Sequence, residues 1–260
     1  MNWLNRIARK NDDEFVALFS GILKIGSHRG FKIHRLGQIG NYPLILTTRP
    51  VAGKPKILLA AGFHGEEPAG CYGVLKFLQE SLNLNSVSLS ILPMVNPTGI
   101  RIGKRENKWG ENVNRGFHLT KKTPLSKEGK LLIKHTKMLE LLAQDGFVSL
   151  HEDDRKDNFF LYTFERGNKP GVFSYTLRKA LDSVFKQRED GLEGEGGILD
   201  DGIVFNECDG TYEDYLFHKG IPYTACTETP GTKKFSDRVE ANRRVIEHFI
   251  WFVNSGSKSG

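Results

Sequence analysis

Cysteine is scarce in this chain. The 260 residues hold three, Cys71, Cys208 and Cys226, an odd number with no CxxC spacing. Neither a disulfide framework nor a thiolate zinc knuckle is expected, and buried free thiols in a reducing compartment are the default. Long apolar runs are missing too: none approaches the roughly 20 residues needed to span a bilayer, so no membrane partner is expected. The opening MNWLNRIARKNDDEF has no apolar core and turns acidic early, which gives an expectation of no export and a cytoplasmic location. There is no GxSxG, and no cysteine sits in a turn suited to nucleophilic attack, so serine and cysteine hydrolysis have no support. Neither an internal repeat nor a dividing linker is found, and residues 1–260 read as one domain. The formal charge is +6, but Lys and Arg are dispersed, without an RNP, zinc-finger or helix-turn-helix signature. Nucleic acid is therefore not an expected partner. Most of the charge is solvated surface, with some steering of anionic ligands.

What is present is a core and an alternation. Hydrophobic residues make up 38% of the chain, enough for a substantial interior. A helical pattern covers about 1–24 (Leu4, Ile7, Phe15, Leu18, Phe19, Ile22), followed by two strand-like runs, 31–40 and 42–48, with Gly40-Asn41 between them as a hairpin. The apolar run 57–63 reads as a buried parallel strand. The helix after it, about 68–82, presents Cys71, Val74, Leu75, Leu78 and Leu82 on one face, with Pro68 in its first turn. Further strands are expected at 87–95, 147–150, 159–164 and 223–227. Helices are expected at 126–142, 172–185 and 212–217, with a last one opening at Ser236. Residues 98–123 show no convincing period, and the glycine-rich, acidic 189–202 reads as a surface loop or lid. The fold class is α/β: a mixed, largely parallel sheet with helices on both faces.

Three apolar strands end on a residue of catalytic type: Phe63 on His64, Leu150 on His151, Thr227 on Glu228. In open α/β sheets the ligand crevice lies at the carboxyl ends of the strands. If these strands are neighbours, His64, Glu67 and His151 offer two imidazoles and a carboxylate, a three-ligand zinc set with a fourth position open to water. Glu228 then suits a general base on that water and an acid toward the leaving amine. Taken singly, each residue has a plainer account. Glu67 can favour a helix N-terminus, His151 can be a hydrogen-bonded histidine, and Glu228 a capping or ion-paired carboxylate. Their joint placement argues for the metal. In GKRENKWGENVNRGF, Arg105 and Asn114-Arg115 suit bidentate grip of a carboxylate and stabilisation of an oxyanion, against a solvated basic loop.

HGEE at 64–67, NPTG at 96–99, the arginine-then-NVNRGF run at 105–117, SLHED at 149–153 and TETPG at 227–231 together resemble zinc carboxypeptidases of the carboxypeptidase A superfamily. The flavour is that of the compact bacterial branch that includes murein peptide amidases. The aspartoacylase and succinylglutamate desuccinylase branch shares the metal motif. The resemblance implies a zinc-dependent exopeptidase-like fold, one Zn2+ on His64, Glu67 and His151, and Glu228 as general base. It also implies Asn114 and Arg115 on the substrate's terminal carboxylate, and Arg105 polarising the scissile carbonyl, although Arg101 lies in the same loop.

There are departures from that pattern. The substrate-contacting tyrosine of carboxypeptidases falls roughly at Phe205, with Tyr212 displaced from the expected place. The aspartate of the Asp-x-Asn-Arg run is Asn112, which predicts looser anchoring of that loop. Glu152-Asp153-Asp154 replaces small or neutral residues, which leaves open a substrate amino group, a second metal ion near Asp153 and Asp154, or simply a solvated turn. The expected activity is hydrolysis of an amide bond next to a free carboxylate in short peptides, murein peptides among them. An N-acyl amino acid hydrolase is the alternative, disfavoured because little chain follows the last helix for the β domain of that branch. A non-catalytic peptide-binding scaffold is the third reading.

Overall fold

In the computed structural model, residues 14–81, 84–118, 123–153, 157–193 and 197–256 are described. Leu4, Ile7, Leu82 and Asp154 lie outside them. The chain runs α1 (Glu14–His28), β1 (Lys32–Ile39), β2 (Tyr42–Arg49), β3 (Lys56–Ala61), α2 (Ala69–Glu80), β4 (Ser88–Leu92) and α3 (Pro97–Ile102). It continues through α4 (Lys127–Lys134), α5 (Thr136–Leu142), β5 (Gly146–Asp153), β6 (Phe160–Glu165) and α6 (Val172–Asp182). Last come β7 (Gly191–Glu193), β8 (Gly197–Asp200), β9 (Ile203–Phe205), α7 (Tyr212–His218), β10 (Tyr223–Pro230) and α8 (Phe235–Gly256).

The ten strands among the described residues join one mixed sheet in the order β1-β2-β4-β3-β5-β10-β6-β9-β8-β7. Its centre, β4-β3-β5-β10, is parallel. The β1–β2 hairpin and the far edge are largely antiparallel, with β6–β9 the parallel exception there. Alternation along each central strand splits the interior in two. Ile57, Leu59 and Ala61 of β3 enter a core shared with α1, α2, α6 and α8. Leu58 and Ala60 face the opposite core, with Leu132, Leu139 and Leu216 of α4, α5 and α7. Covered on both faces, β3 is a continuous apolar run, while β4, β5 and β10 interleave buried serines and threonines with apolar residues.

Several elements differ from the sequence expectation, each for a local reason. The single helix expected over 126–142 breaks at His135, which has φ −102° and ψ 11° and separates α4 from α5. Its Nε2 donates to the Leu36 carbonyl at 2.8 Å, so the break is bonded to β1. Within 189–202 the chain is not all loop: β7 and β8 pair antiparallel at the sheet edge. Within 98–123, α3 forms because Asn96 caps it, its side chain accepting from Gly99 N at 2.8 Å. Both β5 and β10 run on past Leu150 and Thr227, to Asp153 and Pro230. Of the thiols, Cys71 and Cys226 are buried and Cys208 is exposed.

Candidate metal centre

The carboxyl ends of β3, β5 and β10 lie side by side, with Ala61 opposite Leu150 and His151 opposite Glu228. Gly62, at φ +68°, turns the chain out of β3 toward His64. Gly65 allows the turn to pack, since a Cβ there would lie 2.1 Å from Gly99 C and 2.2 Å from Lys104 O. Asn96 is wholly buried, and its Nδ2 reaches the Phe63 and Arg105 carbonyls, each at 3.2 Å. HGEE and NPTG are thus two halves of one junction, which sets His64 and Arg105 on the same wall.

The three proposed ligands meet. His64 Nδ1 is 2.7 Å from Glu67 Oε1, His151 Nδ1 is 2.8 Å from Glu67 Oε2, and the two Nδ1 atoms are 3.3 Å apart. All three residues are buried. Two nitrogens bound at about 2.0–2.1 Å to a tetrahedral ion lie about 3.3 Å apart, so the spacing suits zinc.

The outer hydrogen bonds supply a sharper test of fit. Asn112 Oδ1 faces His64 Nε2 at 3.2 Å and also accepts from Asn114 N at 3.0 Å, so it is an oxygen that calls for a proton on Nε2. The neutral His64 ring then turns its Nδ1 lone pair onto a carboxylate. Across the site, His151 Nε2 has the Asn114 amide nitrogen at 3.5 Å, and the buried Glu213 carboxylate lies beyond it at 4.0 Å, outside hydrogen-bond reach. An inward lone pair on His64 against a carboxylate makes sense around a cation, with Asn112 fixing that tautomer.

The charges agree. Burial lowers the His64 pKa, outweighing Glu67. Burial acts the same way on His151, but the Glu67 carboxylate, helped by Glu228 and Glu213, pushes it up to about 9. Glu67 stays ionised well below the usual carboxylate range: burial opposes this, and the two imidazoles outweigh it. Glu228 is half-buried and pushed up to about 8, by burial first and then by the Glu67 charge.

A cavity of about 640 Å³ opens over these groups, lined by Arg105, Arg115, Phe160, Tyr162, Asp209 and Glu228 among others. Arg105 Nη1 lies 3.1 Å from Glu67 Oε1 and 3.3 Å from Glu66 Oε1. Arg101 borders a different, smaller hollow beside Glu14. Arg115 lies 3.8 Å from Asp209 and donates to the Asn114 carbonyl at 2.9 Å.

Other expected residues fall elsewhere. Tyr212 is fully buried against Phe63, Phe117 and Phe147, so it cannot touch substrate. Phe205 packs on the other core. The tyrosine on the cavity is Tyr162 of β6, paired with Cys226. The Asn114 amide is engaged at both ends, accepting from Tyr212 N at 2.9 Å and donating to Glu213 Oε2 at 3.1 Å, which makes it a brace rather than a free hand for substrate. Asn112 anchors its loop through Asn114 N and does not loosen it. Glu152 and Asp153 are no solvated turn. Glu152 accepts from Ala69 N at 2.7 Å, which supplies the cap that α2 lacks, and pairs with Arg238. Asp153 pairs with Arg188 at 3.5 Å, and neither acid belongs to a metal-competent group among the described residues.

Comparison with known proteins agrees with this geometry. Residues 53–154 match the family described as the succinylglutamate desuccinylase/aspartoacylase catalytic domain. No curated protein matches the chain significantly. A Shewanella baltica protein provisionally named a metallopeptidase is 38% identical over 92% of both chains, with a TM-score of 0.87. A metallo-carboxypeptidase from Burkholderia cenocepacia shares the fold at 15% identity and TM-score 0.67, over 91% of this chain and 68% of that one. The murein-tripeptide amidase of Escherichia coli O157 does so at 17% and 0.59, over 84% and 91%. No helix among the described residues is long and apolar enough to cross a membrane. On the strength of the Shewanella relative, the chain belongs to the same metallopeptidase family as that protein, and its fold is that of the carboxypeptidases.

Proposed function

We propose that the protein is a zinc-dependent peptidase or amidase that cleaves an amide bond next to a free carboxylate in short peptides. The observation that carries this reading is the convergence of His64, Glu67 and His151, with Glu228 on the neighbouring strand facing the same cavity. His64 Nδ1, His151 Nδ1 and the Glu67 carboxylate would hold the ion. A bound zinc ion supplies a Lewis acid for the carbonyl oxygen and lowers the pKa of water. Arg115, at the cavity wall, takes the substrate carboxylate in a charge-assisted pair. Arg105 donates toward the scissile carbonyl oxygen as negative charge gathers there. Glu228 accepts the proton of the attacking water at its carboxylate and delivers it to the departing amine nitrogen.

The test is Glu228→Gln in metal-replete protein, assayed against short peptides with free and amidated C-termini. Turnover should fall by about 10²–10⁴-fold with metal content unchanged, and only peptides with a free carboxylate should be cleaved by the parent. Undiminished turnover in the variant would remove Glu228 from the chemistry. The family match over 53–154 supports a second reading, hydrolysis of an N-acyl amino acid with the same groups. Acylated amino acids assayed beside dipeptides separate the two by kcat/KM.

A further inference from the structure

Outside the metal centre, a second group of mixed donors gathers where residues 206–211 meet α7. Cys208 Sγ lies 3.9 Å from His218 Nε2. His218 Nδ1 is 2.9 Å from the Asp214 carbonyl oxygen and 2.8 Å from Asp214 Oδ1. Two acceptors on one side fix the ring proton on Nδ1 and leave the Nε2 lone pair facing the thiol. Asp214 is 4% exposed, and its Oδ2 is occupied by Gly210 N at 2.9 Å. Its Oδ1 makes no well-formed hydrogen bond and lies 2.8 Å from His218 Nδ1, and the Asp214 carboxylate also acts on the Cys208 thiol.

The spacing is that of two ligands on one ion. With metal–sulfur near 2.3 Å and metal–nitrogen near 2.0–2.1 Å, a tetrahedral cation holds S and N about 3.6 Å apart. An acceptor behind the imidazole repeats the arrangement of Asn112 behind His64, here with a softer partner in front. The surroundings favour positive charge: Asp214, Glu207 and Asp209 all act on the thiol, with Asp209 offset in part by Arg115 at 3.8 Å. Cys208 is exposed and the His218 side chain is 44% exposed, so an ion reaches the pair from solvent.

We propose that Cys208 Sγ and His218 Nε2 bind a soft divalent cation of the zinc or cadmium class, with Asp214 holding the His218 tautomer, at a site separate from His64, Glu67 and His151. Binding releases the thiol proton to solvent. The site is one residue from Asp209 and therefore beside the cavity wall. The simpler account of the pair is a lone S–H···N contact, and it predicts no cation at all.

Protein already carrying one zinc per chain is titrated with cadmium while the ultraviolet thiolate-to-metal charge-transfer band is followed. One equivalent of cadmium should raise the band in the parent, Cys208→Ser should abolish it, and His218→Ala should weaken cadmium binding about 10-fold or more. Both side chains are exposed, so neither variant opens the core. Absence of the band at any cadmium concentration would overturn the proposal in favour of the S–H···N contact. A band that survives Cys208→Ser would also overturn it, because the thiolate would then be Cys226 beside His151 and Glu228.

Discussion

At the scale of single residues, the two imidazoles of the centre are held by unlike partners. His64 Nε2 meets a neutral amide oxygen, Asn112 Oδ1, whereas His151 Nε2 has the Asn114 amide nitrogen at 3.5 Å and, 4.0 Å away, the charge of the fully buried Glu213 carboxylate. A carboxylate charge behind a ligating imidazole raises its basicity more than a neutral amide does, as Glu213 does for His151. Glu213→Gln should therefore weaken zinc binding by about 10–100-fold, measured by competition with a chromophoric chelator. The exchange Asn112→Asp puts a carboxylate behind His64 and should strengthen binding by about 10-fold. Equal affinities across parent and both variants would mean that these outer groups leave the ligands untouched. Neither partner was legible in the sequence. Glu213 follows the Thr211 cap and reads as an ordinary acid in the first turn of a short helix, and only the packing of α7 on β5 and β10 turns it inward.

At the scale of elements, the junction between β3 and α2 is the most constrained piece of chain. Gly65 lies against backbone on both sides, so Gly65→Ala cannot be relieved by turning a side chain. It should cost about 1–3 kcal/mol or more, read as a lower urea midpoint with unchanged slope. Zinc affinity should fall with it, because the displaced loop carries Arg105 and Asn112. This junction was readable in advance, since a buried strand, a turn and an amphipathic helix are local patterns. The meeting of His64, His151 and Glu228 was readable as well, because apolar strands in an α/β chain share one functional edge. What depended on long-range pairing was not. Tyr212 stood as a displaced candidate for the substrate-contacting tyrosine, but α7 places it between Phe63 and Phe147, and Tyr162 reaches the cavity only because β6 pairs with β10. The β7–β8 pairing was hidden by glycine and acidic residues that weaken any strand pattern.

At the scale of the whole molecule, the metal-free and metal-loaded proteins should answer pH in different ways. Without the ion, His151 is raised from 6.5 to about 9 by the Glu67 carboxylate against the effect of burial. A raised imidazole contributes stability that is full below the unfolded pKa and is lost as pH climbs through the folded one. Glu228, raised from 4.5 to about 8 by burial and then Glu67, has the same sign, because its folded form prefers to stay neutral while the unfolded carboxylate ionises. Both contributions therefore fade together between about pH 6.5 and pH 8. In the loaded protein the ion takes the place of the His151 proton and its charge favours an ionised Glu228, so binding tightens as protons leave. At free zinc 1,000 times the dissociation constant, binding adds about 4 kcal/mol, or roughly 10 °C in Tm for a chain of this size. The Tm gap between chelator-treated and zinc-loaded protein should thus be small near pH 6 and widen steadily toward pH 8, tracked by calorimetry in matched buffers. A gap that stays constant or narrows across that range would mean that no proton is displaced when the ion binds, and His64, Glu67 and His151 would not be its ligands.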